Sequence, residues 1–138
     1  MARLIVTGKA QRMAGRGRHG FTLIELLVVM SIIATLLMIA VPRYFHSLER
    51  SKEAVLRQDL AVMRDAIDKF YGDLGRYPDT LAELVERHYL RGVPTDPETK
   101  SNETWILILS EDTEVTGARD VHSGAQGAAS DGTTFGSW

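Results

Sequence analysis

The chain has 138 residues, 44% of them hydrophobic and 25% charged, with 12 Gly and 4 Pro, which is the composition of one ordinary domain with or without a tail. It contains no cysteine, which excludes a disulfide framework, a thiolate metal site and a cysteine nucleophile. The net charge of −2 is unevenly spread: residues 1–20 hold five of the 16 basic residues (Arg3, Lys9, Arg12, Arg16, Arg18) and no acid, leaving 11 basic against 18 acidic groups in the rest, a balance that repels phosphate and argues against a nucleic-acid partner.

Residues 21–41 (FTLIELLVVMSIIATLLMIAV) hold only four polar side chains, Thr22, Glu25, Ser31 and Thr35. As a helix the run covers about 31 Å, the thickness of a bilayer core. A buried core helix of that length, apolar all round, is out of proportion in so short a chain, so a membrane segment is expected. Basic groups precede the run and mixed charges follow it (Arg43, Glu49, Arg50, Lys52, Glu53). The positive-inside rule therefore keeps residues 1–20 in the cytoplasm and sends residues 43–138 across. A secretory signal would have a shorter apolar stretch and a small-x-small cleavage site, which Ala40-Val41-Pro42-Arg43 lacks. The run is expected to remain in the mature protein.

Glu25 is out of place in this run. A carboxylate in lipid costs a few kcal/mol and calls for a partner, yet the next basic residue, Arg43, lies about 27 Å further along the helix. Its cation must come from just before the run, from a freshly cut amino terminus or from a neighbouring chain. The plainer alternative is that Glu25, one turn inside, snorkels to the headgroups.

Pro42 closes the run, where it would kink or break a helix. A second helical pattern follows at once. Tyr44, Leu48, Val55, Leu56, Leu60, Met63, Ile67, Phe70 and Leu74 make an apolar face, and Arg50, Glu53, Arg57, Arg64 and Asp68 lie opposite. Gly72 and Gly75 predict the stop. The expectation is one helix over 21–72, about 78 Å long and bent near Pro42; two helices joined by a short linker are the alternative.

Beyond a turn at 72–79, Thr80 and Glu83 form a capping-box pattern that opens a short helix through about His88, with Leu81, Leu84 and Val85 on its apolar face. Trp105–Leu109 is the clearest strand, and 114–116 and 120–122 are weaker ones. They predict a small antiparallel sheet of two or three strands packed on the second half of the long helix. Residues 123–138, rich in Gly, Ala and Ser, predict a loop pinned by Phe135 and Trp138. No catalytic constellation emerges. His19, His46, His88 and His122 are scattered without metal-ligand spacing, and Gly124 and Gly127 precede no helix that could cradle a phosphate. The chain is expected to be no enzyme.

The stretch Arg18-His19-Gly20-Phe21-Thr22-Leu23-Ile24-Glu25 resembles the processing site of the type IV pilin and type II secretion pseudopilin family. Together with Arg76-Tyr77-Pro78, Tyr89-Leu90, Pro94 and Asp96-Pro97, it is most similar to the major (G-type) pseudopilin. The resemblance implies an α+β, pilin-like fold, with a long N-terminal helix packed on a small head. It implies that residues 1–20 are a cytoplasmic leader removed by a prepilin peptidase, which cuts after Gly20 and methylates the new amino group of Phe21. Residues 21–42 are then the membrane half of the helix, and 43–138 its periplasmic half with the head. In such a family Glu25 of one subunit meets the Phe21 amino terminus of another, and Pro42 falls where the helix bends. An ion pair of this kind in a low dielectric sets register more than it adds net stability.

The implied role is a structural subunit of a type II secretion pseudopilus, single-pass in the bacterial inner membrane and then part of a periplasmic filament. Its partners would be the peptidase, copies of itself, minor pseudopilins, the inner-membrane assembly platform and the lipid bilayer. A type IV pilus subunit, major or minor, is the alternative within the family, and a membrane-anchored periplasmic binding module that never polymerises is the alternative outside it. The resemblance also implies a calcium ion in a C-terminal loop, held by Asp side chains and carbonyls. The first acidic ligand would fall near Gln126, an uncharged amide, which leaves Asp131 and the preceding Asp120 as weak ligand candidates. No cofactor is therefore expected.

Overall fold

The computed structural model describes Gly8 and residues 20–138. The expected leader, apart from Gly8 and Gly20, lies outside the described residues. The elements are α1 (Leu23–Leu74), α2 (Leu81–Glu86), β1 (Trp105–Leu109), β2 (Ala118–Ser123) and a closing 3-10 turn (Phe135–Ser137). This is the expected α+β, pilin-like arrangement. The chain divides into two compact units, Met1–Ile39 and Ala40–Trp138.

In the first unit α1 is apolar on every side and exposed throughout. In the second, a stripe of α1 turns inward: Leu56, Leu60, Met63, Ala66, Ile67 and Phe70 are buried at helical spacing. They pack with Leu81, Leu84, Leu90, Trp105, Val121, Ala129 and Phe135 to form the core of the head. Each large side chain so buried contributes about 1.5–3 kcal/mol.

The ends of the helices differ from expectation for local reasons. Gly72 lies inside α1, where glycine costs about 1 kcal/mol. The stop is at Gly75, whose left-handed φ of 69° lets its N–H reach Tyr71 O at 2.8 Å. The short helix begins as expected, with Glu83 N–H donating to the Thr80 hydroxyl at 3.2 Å. The Glu83 carboxylate accepts from Asp79 N–H (2.9 Å) and pairs with Arg76. It ends at Glu86, before His88. His88 adopts φ 67°, with its own N–H on Val85 O (3.1 Å) and Tyr89 N–H on Leu84 O (2.8 Å), a Schellman closure.

The sheet has two strands. β1 and β2 pair antiparallel from Trp105↔Ser123 to Leu109↔Ala118, with an irregularity between Ile108 and Leu109. Residues 114–116, a candidate strand in the sequence, run irregularly. Tyr77 N–H takes Thr116 O (3.2 Å), and Ala118 N–H takes Pro78 O (2.8 Å). The Arg76-Tyr77-Pro78 segment thus fastens the end of α1 to the start of β2. Gly117 makes the approach possible: its φ is 116°, and a Cβ there would lie 2.5 Å from Tyr77 O.

Candidate processing and assembly site

The first helical turn is built from Thr22. Its side-chain oxygen accepts the Glu25 N–H (3.2 Å) and its carbonyl accepts the Leu26 N–H (3.1 Å). Thr22 is therefore the N-cap and Glu25 the third helical residue, an acid where the helix dipole favours one. Thr22-x-x-Glu25 has the spacing of a capping box, a signal of this helix start that the sequence carries inside the processing motif.

Gly20 and Phe21 precede the helix, both exposed, and Phe21 is 85% accessible. Among the described residues nothing buries either side of the Gly20–Phe21 bond. Three of the four polar side chains in the apolar run are satisfied by the helix itself: Thr22 caps it, Ser31 donates to Leu27 O and Thr35 to Ser31 O, both at 2.8 Å. Glu25 is the fourth. Among the described residues its carboxylate has neither a hydrogen bond nor a salt bridge.

α1 is long and apolar enough to cross a membrane. Thirteen Phe, Leu, Ile or Val residues lie in 21–41 and contribute roughly 4–8 kcal/mol to insertion at about 0.3–0.6 kcal/mol each. An acidic residue opposes this by about 3 kcal/mol at the centre of a span and by less near its end. Insertion thus tolerates Glu25 and does not require it. Pro42 sits inside the continuous helix. It lacks the N–H that would bond the carbonyl of Met38, one turn back.

The chain matches the prokaryotic N-terminal methylation motif over residues 15–41. It is 31% identical over 96 residues to type II secretion system core protein G of Klebsiella pneumoniae, covering 58% of this chain and 69% of that protein. It is 31% identical over 101 residues to the core protein G of Pseudomonas aeruginosa, covering 62% and 71%. The type IV major pilin protein PilA of Myxococcus xanthus is 36% identical over 66 residues, 48% of this chain but only 30% of that protein. The chain belongs to the pilin and pseudopilin family and is of the G type. No solved structure gives a significant match.

The two acids considered as calcium ligands in this pseudopilin both face arginines. Asp131 pairs with Arg57 at 2.9 Å and Asp120 with Arg64 at 2.7 Å. The Thr133 hydroxyl and N–H, with Arg57, hold the Asp131 carboxyl below the usual carboxylate range. Burial raises that of Asp120, but the Val121 N–H and Arg64 outweigh it and the net direction is down. Gln126 is exposed. Among the described residues no three of His, Asp and Glu gather as a metal-binding group. This donor set does not fit calcium, which takes six to eight oxygens including several carboxylates.

Proposed function

We propose that this chain is a structural subunit of a type II secretion pseudopilus. It is made as an inner-membrane precursor with its head in the periplasm. A prepilin peptidase removes residues 1–20 and methylates Phe21. The subunits then stack through the apolar part of α1 into a filament that works in export across the outer membrane. The observation that carries the reading is Glu25, without a partner among the described residues, in the first turn of an exposed apolar helix that lies within the matched methylation motif; it is the fifth residue after the Gly20–Phe21 bond at which we place the cut. Cleavage creates an ammonium on Phe21. A second copy then offers the cation that Glu25 lacks along its own helix, and in lipid such a pair fixes which subunit meets which.

The match to a type IV pilin supports a pilus subunit as the second reading, but it covers less of both chains than the matches to core protein G.

Expression beside a prepilin peptidase and the secretion machinery tests the proposal. Mass spectrometry should find a chain starting at N-methylated Phe21, and Gly20→Val should leave uncut precursor. Glu25→Val should insert into the membrane and fail to form filaments. A chain that keeps residues 1–20 beside an active peptidase, or full assembly of Glu25→Val, would overturn the reading.

A further inference from the structure

We propose that the C-terminal loop of this pseudopilin, residues 124–134, is fastened by three charged side chains of α1 and takes no calcium ion. Glu53, Arg57 and Arg64 are spaced by four and seven residues, so they share one face of α1. The Glu53 carboxylate accepts from both Ser130 N–H (2.6 Å) and the Ser130 hydroxyl (2.7 Å). The Arg57 guanidinium binds Asp131 at 2.9 Å and lies 3.9 Å from the centre of the Trp138 ring, within cation–π range. Arg64 donates to Asp120 (2.7 Å), to Val121 O (3.0 Å) and to Trp138 O (2.7 Å). One helix face thus grips the loop at Ser130 and Asp131 and grips both segments that flank it.

Both carboxylate oxygens of Asp131 and four of the loop's carbonyls are already engaged. One Asp131 oxygen takes Arg57, and the other takes the Thr133 N–H (2.9 Å) and hydroxyl. The carbonyls of Gly127, Ala129, Thr133 and Thr134 accept the N–H groups of Phe135 (3.3 Å), Gly132 (2.9 Å), Ala129 (2.7 Å) and Ser137 (3.0 Å). A divalent ion arriving at Asp131 or Asp120 would meet a guanidinium beside the carboxylate and would have to displace it against like-charge repulsion. Arg57 neutralises Asp131, and Arg64 on the flanking segments together with the internal turn orders this loop, a task calcium performs where several carboxylates converge. The inference concerns the head alone and stands whether or not the chain polymerises.

The test uses the full chain in detergent, with CaCl2 or EDTA added, followed by thermal unfolding and by hydrogen exchange resolved over 124–134. The wild type should show the same melting temperature and loop exchange in both conditions. Arg64→Met should speed exchange across the loop by about tenfold, because it removes three charge-assisted bonds. Arg57→Met, which breaks a more exposed pair, should do so by less. A rise in wild-type melting temperature or slower loop exchange with CaCl2 would overturn the proposal. So would an Arg64→Met loop that exchanges at the wild-type rate.

Discussion

Asp96 ties the head together, and its removal should be among the most damaging single changes outside the apolar core. The residue is fully buried. Its carboxylate accepts from the Ser123 hydroxyl, from Glu98 N–H (2.8 Å) and from Thr99 N–H (3.3 Å). Nearby, the Trp105 indole donates to Pro94 O at 2.9 Å, so the 94–101 segment is fastened to both strands at one end of the sheet, where Trp105 pairs with Ser123. In Asp96→Ala the Ser123 hydroxyl, only 1% exposed, loses its acceptor at a cost of about 1–3 kcal/mol. The two N–H bonds to a charged acceptor, partly recoverable by water, add about 1–2 kcal/mol together. The total of roughly 2–5 kcal/mol corresponds to a melting temperature lower by on the order of 8 °C or more in a unit the size of Ala40–Trp138. Asp96→Asn keeps an oxygen for the two N–H groups and should cost about 1–2 kcal/mol. Thermal unfolding of the full chain in detergent, read by tryptophan fluorescence, measures both. An Asp96→Ala protein melting within about 4 °C of wild type, or an Asn variant less stable than the Ala variant, would refute the reasoning.

Asp59 offers a pH test. Burial, and then the nearby Asp96, raise its carboxyl above the ordinary value. A raised carboxyl contributes its stability below its unfolded value, near about 4, and loses it as pH rises through the folded value. At pH 7 the ionised group therefore destabilises, so Asp59→Asn should melt a few degrees higher there, and the gain should vanish by about pH 3. A lower melting temperature at pH 7, or an equal gain at both pH values, would contradict this. Two glycines separate strain from collision. Gly75→Ala meets nothing within 4 Å and should cost only the left-handed penalty of about 1–2 kcal/mol. Gly117→Ala adds a clash with Tyr77 O and should cost clearly more, about 3 kcal/mol or above; equal denaturation midpoints would refute the close approach.

What was legible in the sequence was what local periodicity and local chemistry encode. The buried stripe from Leu56 to Phe70 recurs at helical spacing, and the alternative of two helices failed because Pro42 removes only one N–H from a ladder that continues on both sides. Thr80 capped its helix as its type and position required. The errors fell at boundaries decided by backbone conformation. Gly72 lacks the left-handed conformation that makes the stop at Gly75, and His88 adopts that conformation although nothing in its side chain announces it. The strand expected at 114–116 gave way because its neighbour Gly117 turns the chain against Tyr77 and spends Thr116 O on a contact outside the sheet.

The site divides along the same line. Gly20, Phe21 and Glu25 stand out as candidates because they lie within six consecutive residues, and a carboxylate is conspicuous in any apolar run. Glu53, Arg57 and Arg64 looked like an ordinary solvated face, and their spacing of four and seven residues is as common on such a face as on a binding one. Their meaning depends on Asp120, Ser130 and Asp131, which lie 56 to 77 residues away in the chain. A loop made of Gly, Ala, Ser and Thr carries no periodicity that predicts where it will settle. One sign was nonetheless present. A loop that places Gln126 where an acid is expected has lost part of its capacity to hold a dication, and the charge that orders it then has to come from elsewhere in the chain. Arg57 on the helix face meets the loop's one acid, Asp131, and Arg64 on the same face holds the segments on either side of it, so the loop and this helix face form one electrostatic unit split across the sequence.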